Sequence, residues 1–425
     1  MMNFRVWNLY KAWRQKIWLR VVAIACLSVL SVVVAQLLAP YVPELVAFKA
    51  GSEAVSQILE ILASSMLAVT TFSLSIAVTG FGTAAATATP RATALLQEDT
   101  TTQNVLATFI GAFLFSLLGL IALNAQLYSA SGKVVLYLFT IAVVLLVVVA
   151  LIRWIGHLMS FGRMDNTLDR VETAASNALA ARLANPYLGG RVLNGSLPAD
   201  CIEIPSRITG YVEHVDMPAL QSIAEAVDGE VYVLDIPGSF VVERGPIAYL
   251  RAESLSDEDA ERLQQAFAIG PQRAFDADPR FGLIVLSEIA SRALSPAVND
   301  PGTAISVLGR LVRILADWNT RARVEPDYPL VHVSPIRPEE AIEDAFRPIA
   351  RDGAAMIEVQ VRLQKALAAL RQSVPDAFNT PCTHLAGYAL SLAVEAGLPD
   401  AEIALLRGLS QAKTIPGTGD TNMSV

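Results

Sequence analysis

A run of polar residues in the second half of the chain has the composition of a small binding site. Within SEIASRALSPAVNDPGTAISVLGRL (287–311) these residues are Arg292, Ser295, Asn299, Asp300 and Thr303. A guanidinium beside hydroxyl and amide groups at the start of a helix suits an anion, because helix N-termini present free N–H groups. The same cluster would also suit a contact between subunits.

Local backbone chemistry explains the same residues without a ligand. Ser295-Pro296 ends one helix, because the residue before a proline avoids the α region. Asp300-Pro301 opens the next helix, with the aspartate as N-cap and the proline at the first helical position. Glu288 lies four residues before Arg292, so the two side chains are expected to pair on one helix face. The sequence leaves both explanations open.

A second candidate is the apolar segment SSMLAVTTFSLSIAVTGFG (64–82), in which seven side chains carry hydroxyls. On a wheel of about 100° per residue, a sector of about 80° holds only small residues, namely Ser64, Ala68, Thr71, Ser75, Thr79 and Gly82. Such a face either lets another helix approach closely or lines a polar path. Ser64, Thr71, Ser75 and Thr79 are therefore predicted to be pore-facing or helix-packing.

Motifs of common catalytic and cofactor sites are missing from the sequence. The four histidines have no metal-ligand spacing, and there is no G-x-S-x-G, H-E-x-x-H or G-x-x-x-x-G-K-[ST] segment. We expect no catalytic residue, metal or cofactor, and a protein that is not an enzyme. An enzyme using the Asn299-Asp300 loop is an alternative, and it predicts a concave pocket around Arg292.

The elements that position these residues begin with membrane spans. Of 425 residues, 53% are hydrophobic and only 17% are charged, and the net charge of −8 disfavours a nucleic-acid partner. Four apolar runs of about 18–21 residues, each able to cross ~30 Å of hydrocarbon, precede residue 160. They are Val21–Ala39, Ile58–Val78, Leu106–Leu123 and Val134–Ile152.

Cationic residues predict the orientation of these spans. The first 20 residues carry five lysines and arginines and no acid, and Arg153, Arg163 and Arg170 lie at or after the end of the fourth span. The loop between the second and third spans contains Pro90 and Arg91, and it ends where Thr100 and Gln103 match a capping box. We expect both termini and this inner loop to face the cytoplasm, and membrane lipid to surround the spans.

The rest of the chain has the composition of a cytoplasmic region. DNTLDRVETAASNALAARL predicts an amphipathic connector helix, and runs rich in valine, isoleucine and tyrosine predict strands around a helix capped by Asp216. From Ser256 on the pattern is helical, and the first of these helices is predicted to have Ser256 as its cap and to end at Gly270. The predicted fold is an α-helical polytopic membrane protein with four transmembrane helices and a cytoplasmic α+β/α-helical domain. The predicted boundaries are 1–160 for the membrane domain, 161–199 for the connector, 200–255 for a small α/β unit, 256–413 for a helical domain and 414–425 for a disordered tail.

Several segments resemble one bacterial family. The chain is similar to the predicted membrane proteins grouped as domain of unknown function 2254. The similarity lies in the spans, in TPRATALLQED of the inner loop, in GYVEHVD with PGSFVVERGPI, and above all in RALSPAVNDPGTA. The resemblance covers about residues 15–410, with Ser295 to Pro301 as its most specific element. Thr89 stands where family members more often have serine, which keeps the hydroxyl. The resemblance implies a bacterial inner-membrane protein with a cytoplasmic domain, and it implies no activity.

Together these patterns predict a homo-oligomeric inner-membrane protein whose job is channel-like permeation or membrane-linked sensing, gated by the cytoplasmic domain. The alternative is a non-transporting scaffold that recruits a cytoplasmic partner, in which the small face only packs helices. The sequence does not identify that partner.

Overall fold

The computed structural model describes residues 17–38, 52–97, 99–159, 161–193, 195, 197–318 and 325–411. Most of the N-terminal cationic residues and the predicted tail lie outside these residues. The chain divides into two compact units, Met1–Ala86 with Ala92–Thr167, and Thr87–Arg91 with Leu168–Val425. The short segment Thr87–Arg91 therefore belongs to the second unit, although both stretches that flank it belong to the first.

The first unit is built from long apolar helices. Among the described residues its helices are α1 (Ile17–Leu38), α2 (Ser52–Thr87), α3 (Pro90–Gln97), α4 (Thr100–Asn124) and α5 (Ala130–Leu158), and the first two residues of α3 belong to the second unit. Three stretches are long and apolar enough to cross a membrane, Ala54–Thr87, Thr100–Asn124 and Gly132–Leu158. They contain the second, third and fourth predicted spans, which are thereby confirmed by length and composition.

The first predicted span, Val21–Ala39, falls mostly in α1. The apolar stretch of this helix, Val21–Val34, is shorter than the ~20 residues that cross a bilayer, so a fourth span is not established by the structure. Helix α1 still packs closely against α4: a Cβ built at Gly111 would lie 2.5 Å from the Ile24 Cβ. Glycine is needed there because it lets the two backbones approach.

Large aromatic and aliphatic side chains form the core between α2, α4 and α5. Phe109, Phe115, Leu59 and Leu136 are fully buried in it. The opposite faces expose equally large apolar residues, among them Phe72, Leu138, Leu145 and Ile152. Side chains of this kind, continuous along helices of span length, favour lipid over water as their surroundings.

The N-terminus of α4 differs from the predicted capping box. Asp99, not Thr100, is the N-cap: its Oδ2 accepts hydrogen bonds from the Thr102 N–H (2.8 Å) and the Thr102 hydroxyl (2.6 Å). The helix begins one residue earlier than the box requires, because the aspartate carboxylate accepts both donors at once.

The second unit combines two small sheets with packed helices. Its elements are α6 (Met164–Ala184), β1 (Gly190–Val192), β2 (Ile202–Pro205), β3 (Gly210–Val215), α7 (Met217–Ala226), β4 (Glu230–Val233), β5 (Phe240–Val241), β6 (Pro246–Arg251), α8 (Asp257–Gln265), β7 (Phe267–Gly270), α9 (Pro279–Ala293), α10 (Pro301–Ala316), β8 (Tyr328–Val333), α11 (Pro338–Asp352), α12 (Ile357–Ser373), α13 (Pro375–Glu395) and α14 (Asp400–Gln411). Asp216 caps α7 and Ser256 caps α8, as the sequence predicts.

The strands form one sheet of order β1-β8-β4-β6-β2 and another of order β5-β3-β7. In the first sheet β8 pairs in parallel with both β1 and β4, and the other pairs are antiparallel. Two of these strands correct the expectation that only helices follow Ser256. Strand β7 replaces the predicted helix end at Gly270 because Phe267 is buried against the sheet core, and β8 contributes the fully buried Val331 and Val333.

Candidate functional site

The polar motif forms a tight turn between α9 and α10. Asp300 caps α10: its Oδ1 accepts from the Thr303 N–H (3.0 Å) and its Oδ2 from the Thr303 hydroxyl (2.6 Å). These hydrogen bonds, that of the hydroxyl first, lower the pKa of Asp300. The predicted cap is confirmed, and both polar side chains are engaged within the turn.

The residues before the cap complete this turn. The Ser295 hydroxyl donates to the Arg292 carbonyl (2.7 Å), and the Ser295 carbonyl accepts from the Asn299 N–H (2.8 Å). Asn299 has a φ of +50°, in the left-handed region that asparagine tolerates better than most residues. Asn299 and Asp300 are exposed, and the Arg292 guanidinium makes no ion pair among the described residues. The motif residues lie together, and the cavity found near them is lined on this helix by residues from Ile284 to Ser291, directly before Arg292.

Glu288 pairs with the inner loop rather than with Arg292. Its Oε1 accepts a hydrogen bond from the Arg91 guanidinium, across 197 positions of sequence. This bond raises the pKa of Arg91. Arg91 follows Pro90 at the start of α3, and the two residues before Pro90, Ala88 and Thr89, are buried. The structure therefore joins two segments that the sequence treats separately, the inner loop and the helix that leads into the polar motif.

A cavity of about 530 Å³ lies beside Glu288, between α9 and α11. Its lining is Ile284, Ser287, Glu288 and Ser291 from α9, and Glu343, Asp344, Arg347, Pro348 and Arg351 from α11. Ser287 is 1% exposed. Among the described residues, neither the Ser287 hydroxyl nor the Glu288 Oε2 has a hydrogen-bond partner.

Ion pairs surround this cavity. The Arg280 guanidinium donates to Asp344 (2.6 Å) and also contacts Glu340, and Arg347 donates to Glu343 (2.6 Å). Burial raises the pKa of Asp344, with Arg280 acting in the opposite direction. Arg351 donates to Asp352 rather than into the cavity (2.7 Å). The guanidinium groups near the cavity are thus already held by carboxylates.

A second set of ion pairs fastens the connector helix α6 to α10. Glu172 accepts from Arg310 (2.5 Å) and from two nitrogens of Arg313 (2.7 and 2.9 Å), and Asp169 accepts from Arg310 (2.6 Å). Burial of Glu172 opposes ionisation, but the two arginines prevail and lower its pKa. The second half of helix α10, which the polar motif opens, is therefore held by the connector through Arg310 and Arg313.

Comparison with known proteins places this arrangement in a family. Residues 14–369 match the model of a family described as predicted membrane protein, domain of unknown function 2254. The chain belongs to this family. The resemblance based on the inner-loop and Ser-Pro-x-x-Asn-Asp-Pro segments is confirmed.

The curated relatives of this family member are themselves uncharacterized. The uncharacterized proteins Rv1290c of Mycobacterium tuberculosis and Mb1321c of Mycobacterium bovis are each 27% identical to it over 240 residues. The match covers 53% of this chain and 45% of each relative, so the chain spans less than half the length of the relatives it matches. No solved structure matches the chain significantly.

In this predicted membrane protein the hydroxyl face of α2 lies on the outside of the single chain. Ser64, Thr71, Ser75 and Thr79 are all exposed. The hydroxyls of Ser64, Thr71 and Thr79 donate to carbonyls of their own helix at 2.9 Å, on Glu60, Ala68 and Ser75. Such internal bonds let serine and threonine face an apolar surrounding at little energetic cost. The described part of one chain therefore does not enclose these four side chains, and their pore-facing or helix-packing role stays a prediction.

A buried polar cluster of the membrane unit escapes sequence reasoning. His157 Nε2, near the end of α5, lies 2.9 Å from Asp99 Oδ2 and 3.2 Å from the Thr102 hydroxyl. The His157 ring also contacts the rings of Trp154 and Phe161. The available signal was the position of an aspartate and a histidine at the ends of two adjacent spans, where ionisable side chains seldom lie without a partner.

Proposed function

We propose that this protein is a membrane-linked sensor, in which the second unit receives a signal and the inner loop passes it to the membrane helices. One observation supports the proposal above the others. Thr87–Arg91, which runs from the last residue of α2 into the start of α3, belongs to the second unit and holds Glu288 through Arg91. A change at Glu288 therefore acts on the residues that directly continue the α2 span.

The geometry of α2 makes it suited to this role. At 36 residues and ~1.5 Å per residue the helix is about 54 Å long, well beyond the ~30 Å of hydrocarbon. Its end at Thr87 is covalently continuous with the segment held by Arg91. Movement of that segment would be transmitted along one uninterrupted helix, because helices resist bending without a proline or a similar break.

We further propose that α1 completes a set of four spans in a bacterial inner membrane, with both termini in the cytoplasm. The cationic residues of the first 20 positions and those after α5 support this orientation. The exposed small face of α2 supports a homo-oligomer, because such faces pack closely against a second helix. In this arrangement the protein has no enzymatic activity of its own.

An accessibility experiment tests the sensor. A single cysteine replaces Thr71 in a full-length chain whose own three cysteines, Cys26, Cys201 and Cys382, have been removed. The purified protein is reconstituted in vesicles, and the rate of labelling by a water-soluble maleimide is measured with and without Glu288→Gln. Breaking the Arg91 pair should change that rate several-fold. The matched control is Glu261→Gln, which removes an exposed ion pair to Arg207 and should leave the rate unchanged.

The rival functions give different results in the same vesicles. A scaffold predicts equal labelling rates in all variants, since its small face only packs helices. A channel predicts ion flux that bulky apolar replacements at Thr71 and Ser75 abolish, and it requires several copies, because the hydroxyl face is on the outside of one chain. Equal labelling rates for Glu288→Gln and its parent would overturn the sensor.

A further inference from the structure

The cavity between α9 and α11 contains hydrogen-bonding groups that the described protein atoms leave unused. Ser287 is 1% exposed and its hydroxyl has no partner, and the Glu288 Oε2 is buried without one while Oε1 holds Arg91. Buried polar atoms in native proteins are nearly always paired, so two unpaired atoms on consecutive residues lining one cavity call for a partner. Both groups accept hydrogen bonds, and one is part of a carboxylate.

The opposite wall adds a third acceptor. Pro348 lies inside α11 and lines the cavity. Proline has no N–H, so the Asp344 carbonyl four residues earlier lacks its usual donor within the helix. Asp344 lines the same cavity. Each wall therefore carries an acceptor without a donor, the Glu288 Oε2 on α9 and the Asp344 carbonyl on α11.

The charged side chains that line the cavity indicate which charge its missing partner carries. Arg280 is held by Asp344, Arg347 by Glu343 and Arg351 by Asp352. No cation among the described lining residues reaches the Glu288 Oε2. An anion placed there would face a carboxylate, and a group without N–H or O–H donors would leave the Glu288 Oε2 unpaired.

We propose that this cavity binds a small organic cation with N–H donors, of the primary ammonium or guanidinium class. The cationic head donates to the Glu288 Oε2 and the Ser287 hydroxyl, and a short aliphatic chain lies against Ile284 and Pro348. The volume of about 530 Å³ falls within the ~300–1,000 Å³ typical of small-molecule sites. The proposal rests on the cavity itself and not on the sensor function, although a cation at Oε2 would compete with Arg91 for the same carboxylate.

Isothermal titration calorimetry on the full-length protein in detergent tests the site. The probes are putrescine and agmatine, which carry ammonium and guanidinium donors, with choline and succinate as controls. Choline is a cation without N–H donors, and succinate is an anion of similar size. We expect putrescine or agmatine to bind, choline to bind at least ~10-fold more weakly, and succinate not to bind, since a charge-assisted hydrogen bond is worth about one order of magnitude or more.

Variants assign the binding to the cavity. Glu288→Gln should weaken the amine by ~10-fold or more, and Ser287→Ala, which removes only one hydroxyl, by several-fold. Glu261→Gln is the matched control and should bind as the parent does. Circular dichroism and gel filtration confirm that each variant is folded. If Glu288→Gln fails to fold, the comparison of putrescine with choline and the Ser287→Ala variant still test whether the amine binds in this cavity.

Three results would overturn the site: no amine binding up to millimolar concentration, choline binding as tightly as putrescine, or full affinity in both cavity variants. The sensor and the site fail separately. Amine binding together with equal labelling rates for Glu288→Gln and its parent refutes the sensor and supports the site. A labelling change in Glu288→Gln without amine binding to the parent supports the sensor and refutes the site.

Discussion

The connector helix α6 is attached to α10 through Glu172, so Glu172→Gln should destabilise the second unit. The side chains of Glu172 and Arg310 are 17% and 10% exposed, whereas that of Arg313 is 61% exposed. Loss of the Arg313 bonds therefore costs little. Loss of the Arg310 bond leaves a nearly buried guanidinium with Asp169 as its remaining carboxylate. A fully broken buried pair costs about 3–5 kcal/mol, and since one partner remains we expect about 2 kcal/mol.

Differential scanning calorimetry of the full-length protein in detergent measures this loss. For a unit of this size 1 kcal/mol shifts the midpoint by ~2–4 °C, so Glu172→Gln should lower it by about 4–8 °C. Asp169→Asn alone should matter little, because Asp169 is 66% exposed. The double variant should lose more than the sum of the two singles, since Arg310 then has neither carboxylate.

The matched control and the pH dependence sharpen the test. Glu261→Gln breaks an exposed pair at 3.3 Å and should cost at most ~0.5 kcal/mol. Because folding lowers the pKa of Glu172 below its ordinary value of 4.5, its contribution is present above that pH and is lost as the pH falls through the folded-state value. The variant should therefore lose less stability on acidification than the parent. A midpoint shift no larger than that of Glu261→Gln would refute the reasoning.

Substitutions at four further positions probe other contacts. Gly282→Ala should lower the midpoint of thermal unfolding by several degrees, because the new Cβ would lie 2.4 Å from the Ala175 Cβ. Gly309→Ala should raise the free energy of unfolding by ~0.5–1 kcal/mol, because the nearest neighbouring atom is 3.9 Å from its Cβ. Asn299→Gly should be neutral or slightly stabilising and Asn299→Val destabilising by ~1–2 kcal/mol in denaturant titrations, because of the positive φ. Thr71→Leu should leave the monomer fold intact by circular dichroism and shift the oligomer distribution in native mass spectrometry, and an unchanged distribution would argue against packing through this face.

Local signals in the sequence predicted much of the fold. Three spans were identifiable because apolar runs of this length have no other common explanation. Their ends were placed too far inward, since hydropathy falls off before the helical hydrogen bonds do, as in α2, which extends to Ser52 and Thr87. Caps at Asp216, Ser256 and Asp300 followed from side-chain chemistry over three residues.

The features that could not be predicted from the sequence depend on contacts between segments that lie far apart along the chain. Strand β8 contains a proline and pairs with β1 and β4, which lie far from it along the chain. The Glu288 side chain had a plausible partner four residues away in Arg292, and nothing local indicated that Arg91 would be preferred. The cavity could not be predicted for the same reason, because its two walls are separate helices.

Crosslinking Arg91 to Glu288 tests the central claim most directly. Both residues are replaced by cysteine in the cysteine-free full-length protein, which is treated in native membranes with a short bis-maleimide. The account predicts rapid formation of an intramolecular crosslink, visible after cleavage of the chain between the two positions, and none in either single-cysteine variant. Absence of the crosslink in the double variant, with both cysteines shown to be reactive, would contradict the account, because the inner loop would then lie away from the unit that is proposed to control it.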